Sequence, residues 1–339
     1  MYRYRGPRRA LAAGVAALLG AASLGACSSP PERPAGSASR PGPSGTATAP
    51  TPRAGATDLP HTSVAPGTAP DRPFAVGVRE LRLHRGDRPL PVTVWYPARG
   101  SAGGEPERGA AVAAGRFPLV LFSHGLTGRP ADYEALLTGW AAGGFVVAAP
   151  AYPRTSRRNA STADALDVIN QPADASYALT QVLALDARSG DPLRGHLDPE
   201  RVGAAGHSAG GITTIGLFTV ARDARLDAGV VLAGSALGVG TTFTGPAAPQ
   251  LFVHGQLDEV VSYASGRAVY DQVPWPKAML SLPKGDHGGS LRDGDAAFDV
   301  IAATTLDFLR WSLYGDPAGR RRLPATAARG GLAALDDRL

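Results

Sequence analysis

The sequence predicts an α/β fold with a mostly parallel, doubly wound sheet and helices on both faces. Continuous apolar runs alternate with helical stretches from residue 117 onward, and such runs are typical of parallel strands covered on both sides. Ahead of them, the stretches 76–83 and 90–97 alternate apolar and polar residues, which indicates an antiparallel opening pair. Strands that alternate with helices favour right-handed βαβ units, and such units build a doubly wound sheet.

The central strands are predicted from six apolar runs, taken here in chain order. These runs are PLVLFSHG, FVVAAPAY, RVGAAGHS, AGVVLAG, PQLFVHG and KAMLSLP. The helices are predicted from the stretches that lie between or after these runs, at 130–143, 172–188, 209–223, 262–273 and 295–315. The segment 98–116 is rich in Gly and Ala, and we expect it to be an insertion on the surface.

Composition divides the 339-residue chain into four parts. Residues 1–26 are a predicted lipoprotein signal peptide, 27–73 a disordered spacer rich in Pro, Ser and Ala, 74–315 one folded domain, and 316–339 a mostly disordered C-terminal tail. The spacer has almost nothing to bury, so its expected role is to hold the folded domain clear of the membrane.

The first segment has the pattern of an export signal. Four arginines precede the uncharged run ALAAGVAALLGAASLGA, which is too short and too weakly apolar for a convincing membrane span. The run ends in LGAC, and this motif resembles the lipobox of bacterial lipoproteins. The resemblance implies that Cys27 is diacylated and anchors the protein at the extracellular face of the cell membrane. An ordinary secreted protein with an incidental cysteine is the alternative, and Arg8 and Arg9 leave twin-arginine export open.

Charge and cysteine content exclude several classes of function. The formal net charge of +5 includes the four arginines of the signal peptide, so the mature chain is nearly neutral and nucleic acid is not an expected partner. Cys27 is the only cysteine, so no intramolecular disulfide can form. Because the sequence has no H-x-x-x-H motif, no cysteine pair and no phosphate-binding loop, we expect no metal and no cofactor.

A candidate nucleophile lies in the run VGAAGHSAGG, where Ser208 occupies the centre of a G-x-S-x-G motif. The alternative is an ordinary serine, since the chain contains 43 glycines. The predicted strand before Ser208 and the predicted helix after it favour a nucleophile elbow, a strained turn that exposes the serine hydroxyl beside a helix N-terminus. Gly206 and Gly210 fit this interpretation because a β-carbon at either position would collide with the neighbouring strand or helix.

An acid and a histidine follow the serine in the order that a Ser-Asp-His hydrolase uses. Asp258 comes just after one predicted strand and His287 just after the next, which places both at the same sheet edge as Ser208. Glu259 and Asp286 are the rival acids. A turn or helix-cap role for Asp258 and a surface-loop role for His287 are the alternatives.

A developing oxyanion needs two backbone donors. The His124-Gly125 pair, just after a predicted strand, lets the chain turn sharply toward the site, so the N–H groups of Leu126 and Ala209 are the expected donors. His124 is interpreted as structural, and so are His207 and His254, because each adjoins a tight turn at a strand end.

Seven motifs in order resemble the α/β-hydrolase superfamily. They are VTVWYP, FPLVLFSHGLTG, GFVVAAPAYP, QPADASYALTQVL, RVGAAGHSAGG, FVHGQLDEVV and KGDHGG. They are most similar to the bacterial branch that resembles platelet-activating-factor acetylhydrolase, with kinship to polyester and dienelactone hydrolases, over roughly residues 74–315. The chain has Ser208 where dienelactone hydrolases carry cysteine, and it cannot form the disulfide of many polyester hydrolases. Both departures favour a general carboxylesterase.

The resemblance implies two-step acyl transfer from a small-molecule or lipid ester, with Ser208, Asp258 and His287 as the catalytic residues. We expect a short acyl group because no long apolar lid is evident in the sequence. A cell-envelope acyltransferase with the same three residues and a non-catalytic envelope binding protein are the alternatives. The sequence leaves the oligomeric state open.

Overall fold

The computed structural model describes residues 68–156 and 163–339. These residues form one ten-stranded sheet with six α-helices. The strands are β1 (Ala75–Arg85), β2 (Arg88–Ala98), β3 (Glu107–Arg108), β4 (Phe117–Ser123), β5 (Val146–Pro150), β6 (Leu197–His207), β7 (Leu226–Leu232), β8 (Gln250–Gly255), β9 (Lys277–Leu282) and β10 (Ala334–Arg338). The helices are α1 (Glu134–Ala142), α2 (Gln171–Leu183), α3 (Ala209–Phe218), α4 (Tyr263–Gln272), α5 (Phe298–Tyr314) and α6 (Pro317–Ala327).

The strand order across the sheet is β10-β9-β8-β7-β6-β4-β5-β2-β1-β3. The six central strands, from β9 to β5, are parallel to one another, whereas β10 joins β9 and β2 joins β5 in antiparallel fashion. The predicted opening hairpin of β1 and β2 is confirmed, with Ala75 opposite Ala98 and Arg85 opposite Arg88. The mostly parallel α/β class is therefore confirmed.

Helices cover both faces of the sheet. On one face, Leu137 and Trp140 of α1 pack with Phe308 of α5 in a core that also contains side chains of β4, β7 and β8. Helices α2, α3 and α4 contribute to two further clusters with the sheet. Every residue of β4, β5, β8 and β9 is buried, which is why these strands are continuous apolar runs rather than alternating ones.

The prediction of a mostly disordered tail at 316–339 is wrong. Helix α6 buries Leu323 and Ala327 completely in the core, and β10 adds an antiparallel strand to the edge of β9. The carboxylate of Asp307 on α5 accepts hydrogen bonds from Arg322 and Thr326 of α6. The polar composition of this segment indicates disorder. The helix nevertheless has one apolar face, and burial of that face is enough to hold the helix against the core.

The predicted signal peptide, Cys27 and nearly all of the spacer lie outside the described residues. The last residues of the spacer do contact the domain, because the Arg310 guanidinium donates a 2.7 Å hydrogen bond to the Pro70 carbonyl. Folded structure therefore begins a few residues before residue 74. In the part of the chain that the structure describes, no helix is long and apolar enough to cross a bilayer.

Candidate active site

The carboxyl edge of the parallel strands concentrates backbone strain. Among the described residues, three non-glycine residues have a positive φ: Thr127 at 59°, Ser208 at 58° and Ala233 at 48°. They follow β4, β6 and β7, which are neighbours in the sheet. The chain also changes direction of winding here, since β5 lies on one side of β4 and β6 on the other. Open α/β sheets bind ligands at such a switch point, and strained residues cluster at functional sites.

Ser208 forms the turn between β6 and α3, with φ of 58° and ψ of −117°. The flanking glycines are required by close backbone approach. A β-carbon on Gly206 would overlap the carbonyl oxygen of Gly210, and a β-carbon on Gly210 would overlap the carbonyl oxygen of Ser123 in β4. The strand-turn-helix geometry that the sequence predicts for Ser208 is thus present.

The three residues that the sequence singles out lie in one hydrogen-bonded series. The Nδ1 atom of His287 is 2.8 Å from Oδ2 of Asp258, and its Nε2 atom is 2.8 Å from Oγ of Ser208. A carboxylate can only accept, so Nδ1 carries the proton and Nε2 is free to accept the hydroxyl proton of Ser208. Their loops follow β6, β8 and β9, so chain order and sheet topology together bring distant residues to one point.

Asp258 is held on both of its oxygens. Oδ1 accepts 2.8 Å hydrogen bonds from the amides of Val260 and Val261, so the turn-capping role that was the alternative for this residue coexists with its contact to His287. Burial raises the pKa of the Asp258 carboxyl, but hydrogen bonds from His254 and His287 outweigh burial and hold that pKa below its usual range. The group is therefore an anion at neutral pH.

The rival acids occupy other positions. Glu259 is exposed. The Asp286 carboxylate accepts hydrogen bonds from the backbone amides of Gly288 and Gly289 and shapes the turn that carries His287. Neither faces the His287 ring in place of Asp258.

The loop after β4 lies directly beside the serine. A β-carbon on Gly125 would lie 3.1 Å from the Tyr133 hydroxyl, 3.2 Å from Nδ1 of His207 and 3.4 Å from Cβ of Ser208, so this side of Gly125 has little room for a side chain. The same loop is also held at Thr127, whose amide donates a 2.6 Å hydrogen bond to the Thr155 carbonyl. Among the described residues, no acceptor takes the amide of Leu126 or that of Ala209, the first residue of α3. Both amides can therefore donate to a ligand, and their role as oxyanion donors stays a prediction.

Two residues beside this series make contacts that the sequence did not predict. His207 and Tyr133 hydrogen-bond to each other at 2.8 Å, and His207 also contacts the loop of His287. No local motif indicates this pairing, since Tyr133 lies 74 residues before His207.

Two further histidines at strand ends have structural contacts. The Nε2 atom of His254 lies 2.9 Å from the Val261 carbonyl and 3.3 Å from Oδ2 of Asp258. This ring therefore stabilises the loop that carries Asp258, which we call the acid loop. His124, which the sequence indicates to be structural rather than catalytic, is buried. It contacts the Gly125 carbonyl and the Tyr152 amide, and burial lowers its pKa to about 4.

Apolar side chains surround the site. Leu126 and Leu237 pack against the cluster that contains Ala209. Ile169, which lies beside Gly238, and Leu257, which precedes Asp258 in the chain, are exposed. A cavity of about 580 Å³ lies between the loop 235–241 and α4. Its lining is uncharged, with residues Ser235, Ala236, Leu237, Gly238, Thr241, Ser265, Ala268, Val269 and Gln272. The described residues contain no group of three or more metal-ligating side chains that could hold an ion.

This arrangement is suited to nucleophilic chemistry. An imidazole that accepts from a serine hydroxyl can remove its proton as the oxygen attacks, and a facing carboxylate stabilises the imidazolium that forms. Two free amides beside the serine can bind the oxyanion of a tetrahedral intermediate. Fold and strand-turn-helix geometry together define the class of α/β hydrolases.

The particular family follows from a family comparison. Residues 112–311, more than half of the chain, match the PET hydrolase-like family, and the chain belongs to it. This is an α/β-hydrolase family, so the expected fold and the polyester hydrolase-like resemblance are confirmed and the protein is a hydrolase that acts on esters. A comparison with curated proteins found no match.

Proposed function

We propose that the protein is a serine hydrolase that cleaves carboxylic esters with a short acyl group through an acyl-enzyme. The series Ser208–His287–Asp258, with both hydrogen bonds at 2.8 Å, is the observation that carries this proposal. Membership of the ester-cleaving family supports it independently.

The proposed reaction has two steps. His287 takes the hydroxyl proton of Ser208 as the oxygen attacks the ester carbonyl, and the Leu126 and Ala209 amides bind the resulting oxyanion. The alcohol leaves with the proton held by His287, and an acyl-serine remains. Water then attacks the acyl-serine with His287 again as the base, which releases the acid and restores the hydroxyl.

The surroundings of the serine favour an uncharged ester. Leu126 and Leu237 pack against the apolar cluster that contains Ala209, and the cavity that Leu237 lines has no charged side chain in its lining. Aromatic polyester is a further candidate substrate, since the family to which the chain belongs is described as PET hydrolase-like.

Turnover of p-nitrophenyl acetate, butyrate and palmitate by the whole chain tests the function. We expect kcat/KM to be highest for acetate or butyrate and a fluorophosphonate probe to label the protein covalently. Absence of both turnover and labelling in folded protein would overturn the proposal. Release of soluble aromatic acids from a polyester film is a separate arm, and product analysis with an added acceptor alcohol distinguishes hydrolysis from acyl transfer to that alcohol.

We also propose that Cys27 carries the lipid anchor, since LGAC precedes it and the spacer would supply reach. Detergent phase partitioning of the expressed full chain tests this. We expect the wild type in the detergent phase and Cys27→Ala in the aqueous phase, and equal partitioning of the two would contradict the anchor.

A further inference from the structure

His207 adjoins Ser208 but belongs to none of the proposed catalytic steps, and its ring is fully engaged. Its Nε2 atom lies 2.6 Å from the carbonyl oxygen of His287, and its Nδ1 atom lies 2.8 Å from the hydroxyl of Tyr133. The same hydroxyl is 3.0 Å from the amide of Gly125. We call these linked groups of Gly125, Tyr133, His207 and His287 the Tyr133–His207 bridge.

The chemistry of the groups fixes the direction of every hydrogen bond in the bridge. The His287 carbonyl can only accept, so Nε2 of His207 carries a proton. Burial, with smaller contributions from the neighbouring His287 and His254, lowers the pKa of His207 to about 3. The hydrogen bond to the His287 carbonyl and the Asp258 carboxylate oppose this shift too weakly to cancel it. The ring is therefore neutral at pH 7, and its bare Nδ1 accepts from the Tyr133 hydroxyl. The Tyr133 oxygen in turn accepts from the Gly125 amide.

The bridge joins the two loops on which the proposed reaction depends. At one end it holds Gly125, where an added β-carbon would lie 3.4 Å from Cβ of Ser208, and which precedes the proposed oxyanion donor Leu126. At the other end it holds the backbone of His287, whose ring contacts Ser208. The rings of His207 and His287 are also adjacent, with centroids 4.9 Å apart.

We infer that Tyr133 and His207 are positioning residues, which set the distance between the oxyanion loop and the His287 imidazole in the proposed reaction. The inference rests on the proposed function. Because both residues are buried and act through backbone groups, they orient other residues rather than touch the ester. Transition-state geometry is sensitive to such spacing, and a misplacement of about 1 Å can reduce the rate about 100-fold.

Tyr133→Phe tests the bridge by removing one oxygen while leaving the ring against Phe122, whose centroid is 4.7 Å away. The matched control is Tyr152→Phe, which removes another buried hydroxyl, hydrogen-bonded at 2.8 Å to Ser123 of β4 and outside the bridge. We expect kcat for p-nitrophenyl butyrate to fall about 10-fold in Tyr133→Phe with KM nearly unchanged. We expect Tyr152→Phe to keep its kcat even if its melting temperature falls equally.

The outcomes separate the bridge from the proposed function. If the wild type is active and the two tyrosine variants have equal kcat, the bridge has no positioning role. If the wild type is inactive, the proposed function fails, and nitrogen-15 NMR still tests the bridge. We expect His207 to be a neutral Nε2–H tautomer from pH 5 to 8, with an Nδ1 shift that changes in Tyr133→Phe but not in Tyr152→Phe. A titrating His207 or the Nδ1–H tautomer would overturn the inference.

Discussion

Ser208→Ala is expected to abolish ester turnover and covalent labelling by a fluorophosphonate. The variant lacks the oxygen that attacks the carbonyl, and His287 cannot act as a base without a proton to remove. Loss of a triad serine lowers kcat on the order of 10⁵-fold or more. Residual turnover above this level in Ser208→Ala, measured with p-nitrophenyl butyrate, would assign the nucleophile to another residue.

Ser208→Gly provides a matched control, because it removes the same hydroxyl and also removes the β-carbon that strains the backbone at this turn. At φ of 58° and ψ of −117° a β-carbon is strained, whereas glycine adopts this region freely. We therefore expect both variants to be inactive and Ser208→Gly to have the higher free energy of unfolding, by about 1 kcal/mol. Urea denaturation of the two measures this difference. Equal stability would mean that the turn is not strained by the side chain.

The sheet and the Ser-His-Asp arrangement could be predicted because both depend on local signals. Buried parallel strands are continuous apolar runs, and the residue just past each run falls at a known edge of the sheet. Asp258 and His287 follow β8 and β9 in this way, so their meeting with Ser208 needed only the order of strands.

The remaining features depend on contacts that the sequence does not encode locally. Helix α6 contains a proline, Pro324, and three consecutive arginines, so nothing in its composition indicates that Leu323 enters the core. The Tyr133–His207 bridge joins residues from different loops, and the paired role of Asp258 as both turn cap and imidazole partner requires the position of each oxygen.

Asp258→Asn is expected to lower kcat about 10⁴-fold while the protein stays folded. An amide can offer an N–H to Nδ1 of His287 where the carboxylate only accepts. The imidazole then carries its proton on Nε2 and cannot accept the Ser208 proton. The matched control is Asp286→Asn, the same change one residue from His287, where the side chain caps a turn and does not face the ring. Asp286→Asn should keep most of the activity, and an equal loss in both variants would contradict the assigned acid.

Measurements of unfolding free energy at acidic pH distinguish the stabilising effect of the negative charge of Asp258 from that of its side-chain packing. Its carboxyl has a pKa below the ordinary value of about 3.9, so the ionised group stabilises the folded state above that pH. This contribution is lost as the pH falls through the folded-state pKa. The difference in unfolding free energy between the wild type and Asp258→Asn should therefore be largest at pH 7 and smaller at pH 3. A difference independent of pH would mean that packing of the side chain, rather than its negative charge beside His254 and His287, holds the acid loop.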